Sequence, residues 1–146
     1  MRTAIKIDST PTDILDAHSF VTDEACGAVA SFVGVTRRDT VQNKQVQALE
    51  FETHGPLAKS VLEEIVDTCR TRYPELCHVY IHHRTGIVPT GQGNVVIAVS
   101  SGHRATAFTS VVELMDLLKA KLPIWKKEIY SDGSFRWLEN TEFSPG

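Results

Sequence analysis

Apolar and polar side chains alternate from Thr3 to Asp8 (TAIKID), the two-residue period of a strand. TPTDILDAHSF follows with a helix start, Thr10 standing before Pro11 and acidic residues close behind. Residues 27–35 (GAVASFVGV) are rich in β-branched and small side chains and predict a second strand. TRRDTVQNKQ is polar and aperiodic, which predicts a mobile loop. Residues 46–54 (VQALEFETH) predict a strand with Val46, Ala48, Glu50 and Glu52 on one face and Leu49, Phe51 and Thr53 on the other. The clearest helix is GPLAKSVLEEIVDTCRTRYP. Leu57, Val61, Ile65 and Cys69, or the neighbouring Leu62 and Val66, recur at helical spacing between Gly55-Pro56 and Pro74. CHVYIHHRTG and NVVIAVSSG predict strands on either side of the turn-rich TGIVPTGQG. A second long helix is predicted from about His103 to Leu122, with Phe108, Val111, Val112, Met115 and Leu118 as its apolar stripe. Pro123 stops it, and IWKKEIY and FRWLE, joined by the turn SDGS, predict a closing strand pair.

The predicted order is β-α-β-β-α-β-β-α-β-β. Hairpins beside crossovers imply an α+β fold with a mixed, largely antiparallel sheet. The 146 residues suit one domain, 1–146, with neither repeat nor linker. Hydrophobic residues at 42% and charged residues at 23% exclude a disordered or fibrous chain. The net charge of −3 argues against a general nucleic-acid binder, so any positive site must be local. Cys26, Cys69 and Cys77 form no C-x-x-C pair and are odd in number, which predicts free thiols in a reducing compartment, not a disulfide framework or zinc site. No segment reads as a signal peptide or a membrane span, so a cytosolic protein is expected.

The local positive charge lies at the two ends of the second long helix. Lys119 is four residues beyond Met115 and continues the apolar stripe. Two readings stand: a snorkelling lysine with a wet ammonium, or a partly desolvated lysine of lowered pKa, usable as a nucleophile or proton carrier. Past Pro123, strand parity puts Lys126 and Glu128 on one face and Trp125 and Lys127 on the other. Lys126 can then lie beside Lys119 across the proline turn. His103 and Arg104 occupy the helix's first turn, where free N–H groups and the dipole favour phosphate. Fifteen residues of helix separate Arg104 from Lys119 by about 22 Å. One small substrate reaches both only if they come from different chains of a dimer. Arg37 and Arg38 lie in the polar loop, as solvated charge or as anion ligands. His82 and His83 are adjacent in a strand and face opposite ways, and His78 and His82 have no carboxylate or thiol spaced to complete a metal site, so these histidines read as structural. Gly86, Gly91 and Gly93 mark turns and form neither G-x-G-x-x-G nor a P-loop, and no G-x-S-x-G is present.

FVGVTRRD, LEFETH, SSGHRATAF and KAKLPIWKKEIYSDGSFRWLEN resemble the large, catalytic subunit of molybdopterin synthase, from about Gly27 to Asn140. The H-R-x-x-A-F and K-x-x-x-P-x-W-K-[KR]-E blocks carry the likeness. The resemblance implies an α/β hammerhead-type fold with an added small β subdomain. It implies conversion of cyclic pyranopterin monophosphate to molybdopterin, with sulfur supplied by the C-terminal Gly-Gly thiocarboxylate of a small ubiquitin-like subunit and with no cofactor. It implies a heterotetramer built on a central dimer of large subunits. By position, Lys119 and Lys126 match the family's active-site lysines, the first near the partner's terminal carbonyl, the second as proton donor or anchor of the pterin intermediate. His103 and Arg104 match residues that bind substrate phosphate from the neighbouring chain. Arg37 matches the arginine of F-x-G-x-x-R, and Lys127 and Glu128 complete the substrate-contacting run. Gln92 departs from the acid that many members carry in that turn, a position that reads as structural. The competing functions are a non-catalytic module binding the ubiquitin-like partner or a phosphate ligand, and an RNA-binding domain. Retention of both lysines and the His-Arg pair argues against the module, and the net charge against RNA.

Overall fold

A computed structural model describes residues 1–138. Along the chain run β1 (Thr3–Asp8), α1 (Ile14–Val21), β2 (Ala28–Val35), β3 (Thr40–Val41), β4 (Lys44–Thr53) and α2 (Gly55–Arg72). Then come β5 (Leu76–Arg84), β6 (Gly86–Pro89), β7 (Gly93–Ser101), α3 (Arg104–Lys121), β8 (Ile124–Tyr130) and β9 (Phe135–Leu138). The fold is α+β, as the predicted order implied.

The first sheet has the order β1-β5-β7-β2. β1 runs parallel to β5, and the other pairs are antiparallel. α2 and α3 cover one face, burying Leu62, Ile65, Leu114 and Leu118 against Val79, Ile81, Val95, Ile97 and Val99. α1 covers the other, where Ala17 and Val21 meet Tyr80, Val96 and Ala98. With helices on both faces, β5 and β7 are buried almost continuously and lose the alternation of a half-exposed strand. The second sheet has the order β3-β4-β8-β9, with β6 also paired to β4. It is the added small β unit. No described helix is long and apolar enough to cross a membrane.

The structure corrects several details. α1 is capped by Asp13, whose carboxylate accepts from the N–H groups of Leu15 and Asp16, so the helix begins after Pro11 and not at it. The TRRDTVQNKQ segment holds a short hairpin, with Gln42 and Asn43 at positive φ between β3 and β4. TGIVPTGQG contributes β6, which pairs with β4 from Ala48 to Phe51. In β4 the pairing with β8 slips between Val46 and Ala48. That bulge turns Val46 to the same cavity that Leu49 and Phe51 line, and away from the face expected to carry Glu50.

α2 buries most of its expected positions, whereas α3 buries a stripe that shares only Val111 and Leu118 with the expected one. In α2, Ala58, Leu62, Ile65, Val66 and Cys69 point inward and Leu57 is exposed. In α3, Ala107, Ser110, Val111, Leu114 and Leu118 point inward. Phe108 and Val112 stay 65% and 60% exposed. Residues 108, 112, 115 and 119 form a second row at helical spacing, along the flank of the helix. Of the last predicted strand, Glu139 lies outside the described residues, as does the end of the resemblance at Asn140.

Candidate active site

A cavity of about 400 Å³ opens among β2, β4, β8 and the end of α3. Its walls are largely apolar, built by Phe32, Leu49, Phe51, Val95, Met115 and Ile124. Set into them are Arg37, Asp39, His83, Lys119, Lys126 and Glu128. An apolar recess with a few convergent charged groups is the usual form of a small-molecule site.

Each charged group has a local reason for its place. Lys119 belongs to the flanking row of α3, one turn past Met115, so it reaches the cavity and not the core. Burial pushes its ammonium below the ordinary lysine range, and Asp116 partly offsets this. That supports the desolvated reading of Lys119 over the wholly solvated one. Pro123 turns the chain at once into β8, which carries Lys126 and Glu128 into the same cavity. The predicted parity holds. Lys127 faces the other side of β8, pairs with Glu50 at 3.3 Å and lies over the rings of Phe135 and Trp137. It does not line the cavity.

Glu128 is 8% exposed and accepts from the Tyr130 hydroxyl at 2.9 Å and the Arg136 guanidinium at 3.2 Å. Arg37 is exposed at the mouth, its Nε 2.8 Å from Asp39. Both described cavity carboxylates have arginine partners, and with Arg37, Lys119 and Lys126 in its lining the recess suits an anion.

His103 and Arg104 stand at the far end of α3, which runs unbroken from Arg104 to Lys121. Neither lines the cavity of its own chain. The expected separation from Lys119 of about 22 Å therefore holds for this chain. The first turn of α3 already meets an anion from within. Glu75 accepts from the His103 ring at 2.5 Å and from the Thr106 hydroxyl at 3.2 Å.

Three histidines are held on β5. His78 bonds Asp23 and the Arg2 N–H, and His82 bonds Asp8. These two are structural, as read from the sequence. His83 is not so simply placed, because it reaches the cavity wall. The sequence reading took it as structural along with the other two. The available signal was its strand parity opposite to His82. Gln92 accepts from Arg84 at 2.7 Å in the β6–β7 turn, a structural role. Among the described residues no group of three potential metal ligands occurs.

The α+β scaffold thus sets a lysine-bearing, apolar-walled recess between a helix end and the second sheet. Residues 7–121 match the MoaE protein family. The chain belongs to that family. It is 42% identical over 139 residues to the molybdopterin synthase catalytic subunit of Drosophila willistoni, covering 94% of this chain but 37% of that protein. The Taeniopygia guttata protein of the same name is 39% identical over 138 residues, with 94% of this chain and 88% of that one covered. The crystal structure of molybdopterin synthase from Staphylococcus aureus superposes with a TM-score of 0.86 at 32% identity, over 92% of this chain and 96% of that chain.

Proposed function

We propose that this chain is the catalytic subunit of a molybdopterin synthase, a sulfurtransferase that builds the dithiolene of molybdopterin on cyclic pyranopterin monophosphate. The observation that carries this reading is the convergence of Lys119 and Lys126 in one apolar-walled cavity whose lining contains no cysteine. In this reading the sulfur comes from another molecule. The donor in this reading is the thiocarboxylate at the C-terminus of a small ubiquitin-like subunit, threaded into the cavity, and the chain needs no cofactor of its own.

In each transfer the thiocarboxylate sulfur attacks a substrate carbon, a C–S bond forms and a C–O bond breaks. Water then cleaves the acyl–sulfur bond, leaving a carboxylate on the small subunit and the sulfur on the substrate. Sulfur keeps its oxidation level, so no redox partner enters. Lys119 donates hydrogen bonds to the acyl carbonyl oxygen as negative charge develops on it. Lys126 donates a proton to the departing oxygen or anchors the ring. Arg37 holds anionic oxygen at the mouth, and Glu128, locked by Tyr130 and Arg136, keeps the β8 face rigid.

His103 and Arg104 take the substrate phosphate from a second copy of the chain, within a heterotetramer centred on a dimer of large subunits. The exposed Phe108 and Val112 of α3 support a covered face there. Lys127 acts in this reading only indirectly, by bracing β8. The domain spans 1–146, including residues outside those described, and the protein works in the cytosol.

Reconstitution tests the reading. The purified chain, cyclic pyranopterin monophosphate and a thiocarboxylated small subunit give dithiolene product, and Lys119→Ala lowers the rate by at least about a hundredfold. Tight binding of the small subunit with no product from the unmodified chain identifies a non-catalytic binding module instead.

A further inference from the structure

His83 is 5% exposed and sits at the C-terminal end of β5, between Ile7 of β1 and Val95 of β7. It is the point where the first sheet meets the second. Its ring packs edge-on against Phe51 of β4, with centroids 5.1 Å apart and an interplanar angle of 71°. Phe51 is in turn the cross-strand partner of Lys126. His83 thus forms part of the cavity floor beside one of the two lysines.

Its hydrogen bonding determines what the ring can offer. Nδ1 lies 3.0 Å from the backbone carbonyl oxygen of Arg84. A carbonyl only accepts, so Nδ1 carries the proton and Nε2 is left as a lone-pair acceptor. Burial, reinforced by the nearby His82 and Lys126, pushes the ring down to about 4, so it is neutral at physiological pH. Nε2 has no partner among the described residues. His83 lines the cavity, and Nε2 is the acceptor its ring can offer there. An acceptor held this way in an apolar wall needs a donor.

We propose that His83 is a substrate-positioning residue whose Nε2 accepts a hydrogen bond from a ring N–H of the bound pterin-type heterocycle. This rests on the reading of the cavity as the site for a cyclic pyranopterin phosphate. The division of labour follows from the chemistry. The cations engage phosphate and acyl oxygen. The two described cavity carboxylates, Asp39 and Glu128, have arginine partners in Arg37 and Arg136. A flat, N–H-rich ring needs a neutral acceptor beside an aromatic surface, and His83 against Phe51 supplies both. Neutrality matters, since an imidazolium would repel Lys126 and have no lone pair to give.

The test is calorimetric titration of cyclic pyranopterin monophosphate into the full chain, wild type beside His83→Phe and His83→Gln. Melting temperature and small-subunit affinity are measured on the same samples. Phe keeps the ring's bulk and removes the acceptor, while Gln places an amide oxygen near the position of Nε2. Substrate Kd rises about tenfold in the Phe variant and is largely restored in the Gln variant. Small-subunit affinity stays within about twofold of wild type in both. In turnover the loss appears in KM more than in kcat. Wild-type Kd in the Phe variant overturns the proposal. So does a parallel loss of substrate binding, small-subunit binding and melting temperature in both variants, which marks His83 as a packing residue. Failure of the wild type itself to bind the substrate overturns the reading of the cavity, and this proposal with it.

Discussion

The chemistry of Lys119 is set by where its stem leaves the helix. It is one turn beyond Met115 on the flanking row of α3, so its ammonium is partly withdrawn from water and its pKa falls. Asp116, close by on the same helix, acts the other way and favours the charged form. If the ammonium form stabilises the acyl oxygen, activity is lost as pH rises through the Lys119 pKa. The alkaline limb of kcat/KM then lies below the ordinary lysine value of 10.5. Removing the Asp116 charge takes away the opposing pull and lowers the pKa further. Asp116→Asn should therefore move the alkaline limb to lower pH. A limb that stays put, in a pH–rate series on the reconstituted enzyme, dissociates Lys119 from that ionisation.

At the level of elements, the site depends on how α3 seats on the sheet. Leu114 is fully buried against the sheet and lies one turn before Leu118 and just before Met115. Truncating it leaves a cavity under the segment that presents Lys119. Leu114→Ala should cost about 2–5 kcal/mol, read from urea unfolding. It should also lower kcat more than it weakens small-subunit binding, because the helix end, not the docking surface, is displaced. Strand geometry makes a similar contribution. The bulge at Gln47 turns Val46 into the cavity with Leu49 and Phe51, which gives the recess an apolar back wall.

On the scale of the whole molecule, the separation along α3 is the governing fact. His103 and Arg104 cannot serve the cavity of their own chain while α3 stays unbroken. The proposed assembly resolves this by sharing each site between two copies. Mixing Lys119→Ala with Arg104→Ala should then restore activity that neither variant has alone. Random reassortment gives half mixed dimers, each with one intact site, so recovery approaches about a quarter of wild type. Two variants that stay inactive after verified subunit exchange overturn the shared site. Glu75, which bonds His103 and Thr106, ties the first turn of α3 to the chain just before β5.

Local pattern was enough for the elements and for strand parity. β1 and β8 fall on their predicted spans, Thr3–Asp8 and Ile124–Tyr130, and α3 lies within one residue of its predicted ends. The split between Lys126 and Glu128 on one face and Lys127 on the other follows from the two-residue period alone. The blocks around His103-Arg104 and Lys119 to Glu128 carried the family as well. Pattern could not choose which of two adjacent helical stripes is buried, because 107-111-114-118 and 108-112-115-119 satisfy the same spacing. Only the facing sheet decides that. It could not reveal the bulge in β4, nor β6 within a turn-rich segment, since both depend on strands distant in sequence. The convergence of Arg37, Lys119 and Lys126, and the neutral His83 beneath them, comes from two sheets meeting. Long-range pairing places those residues together, and no local period encodes it.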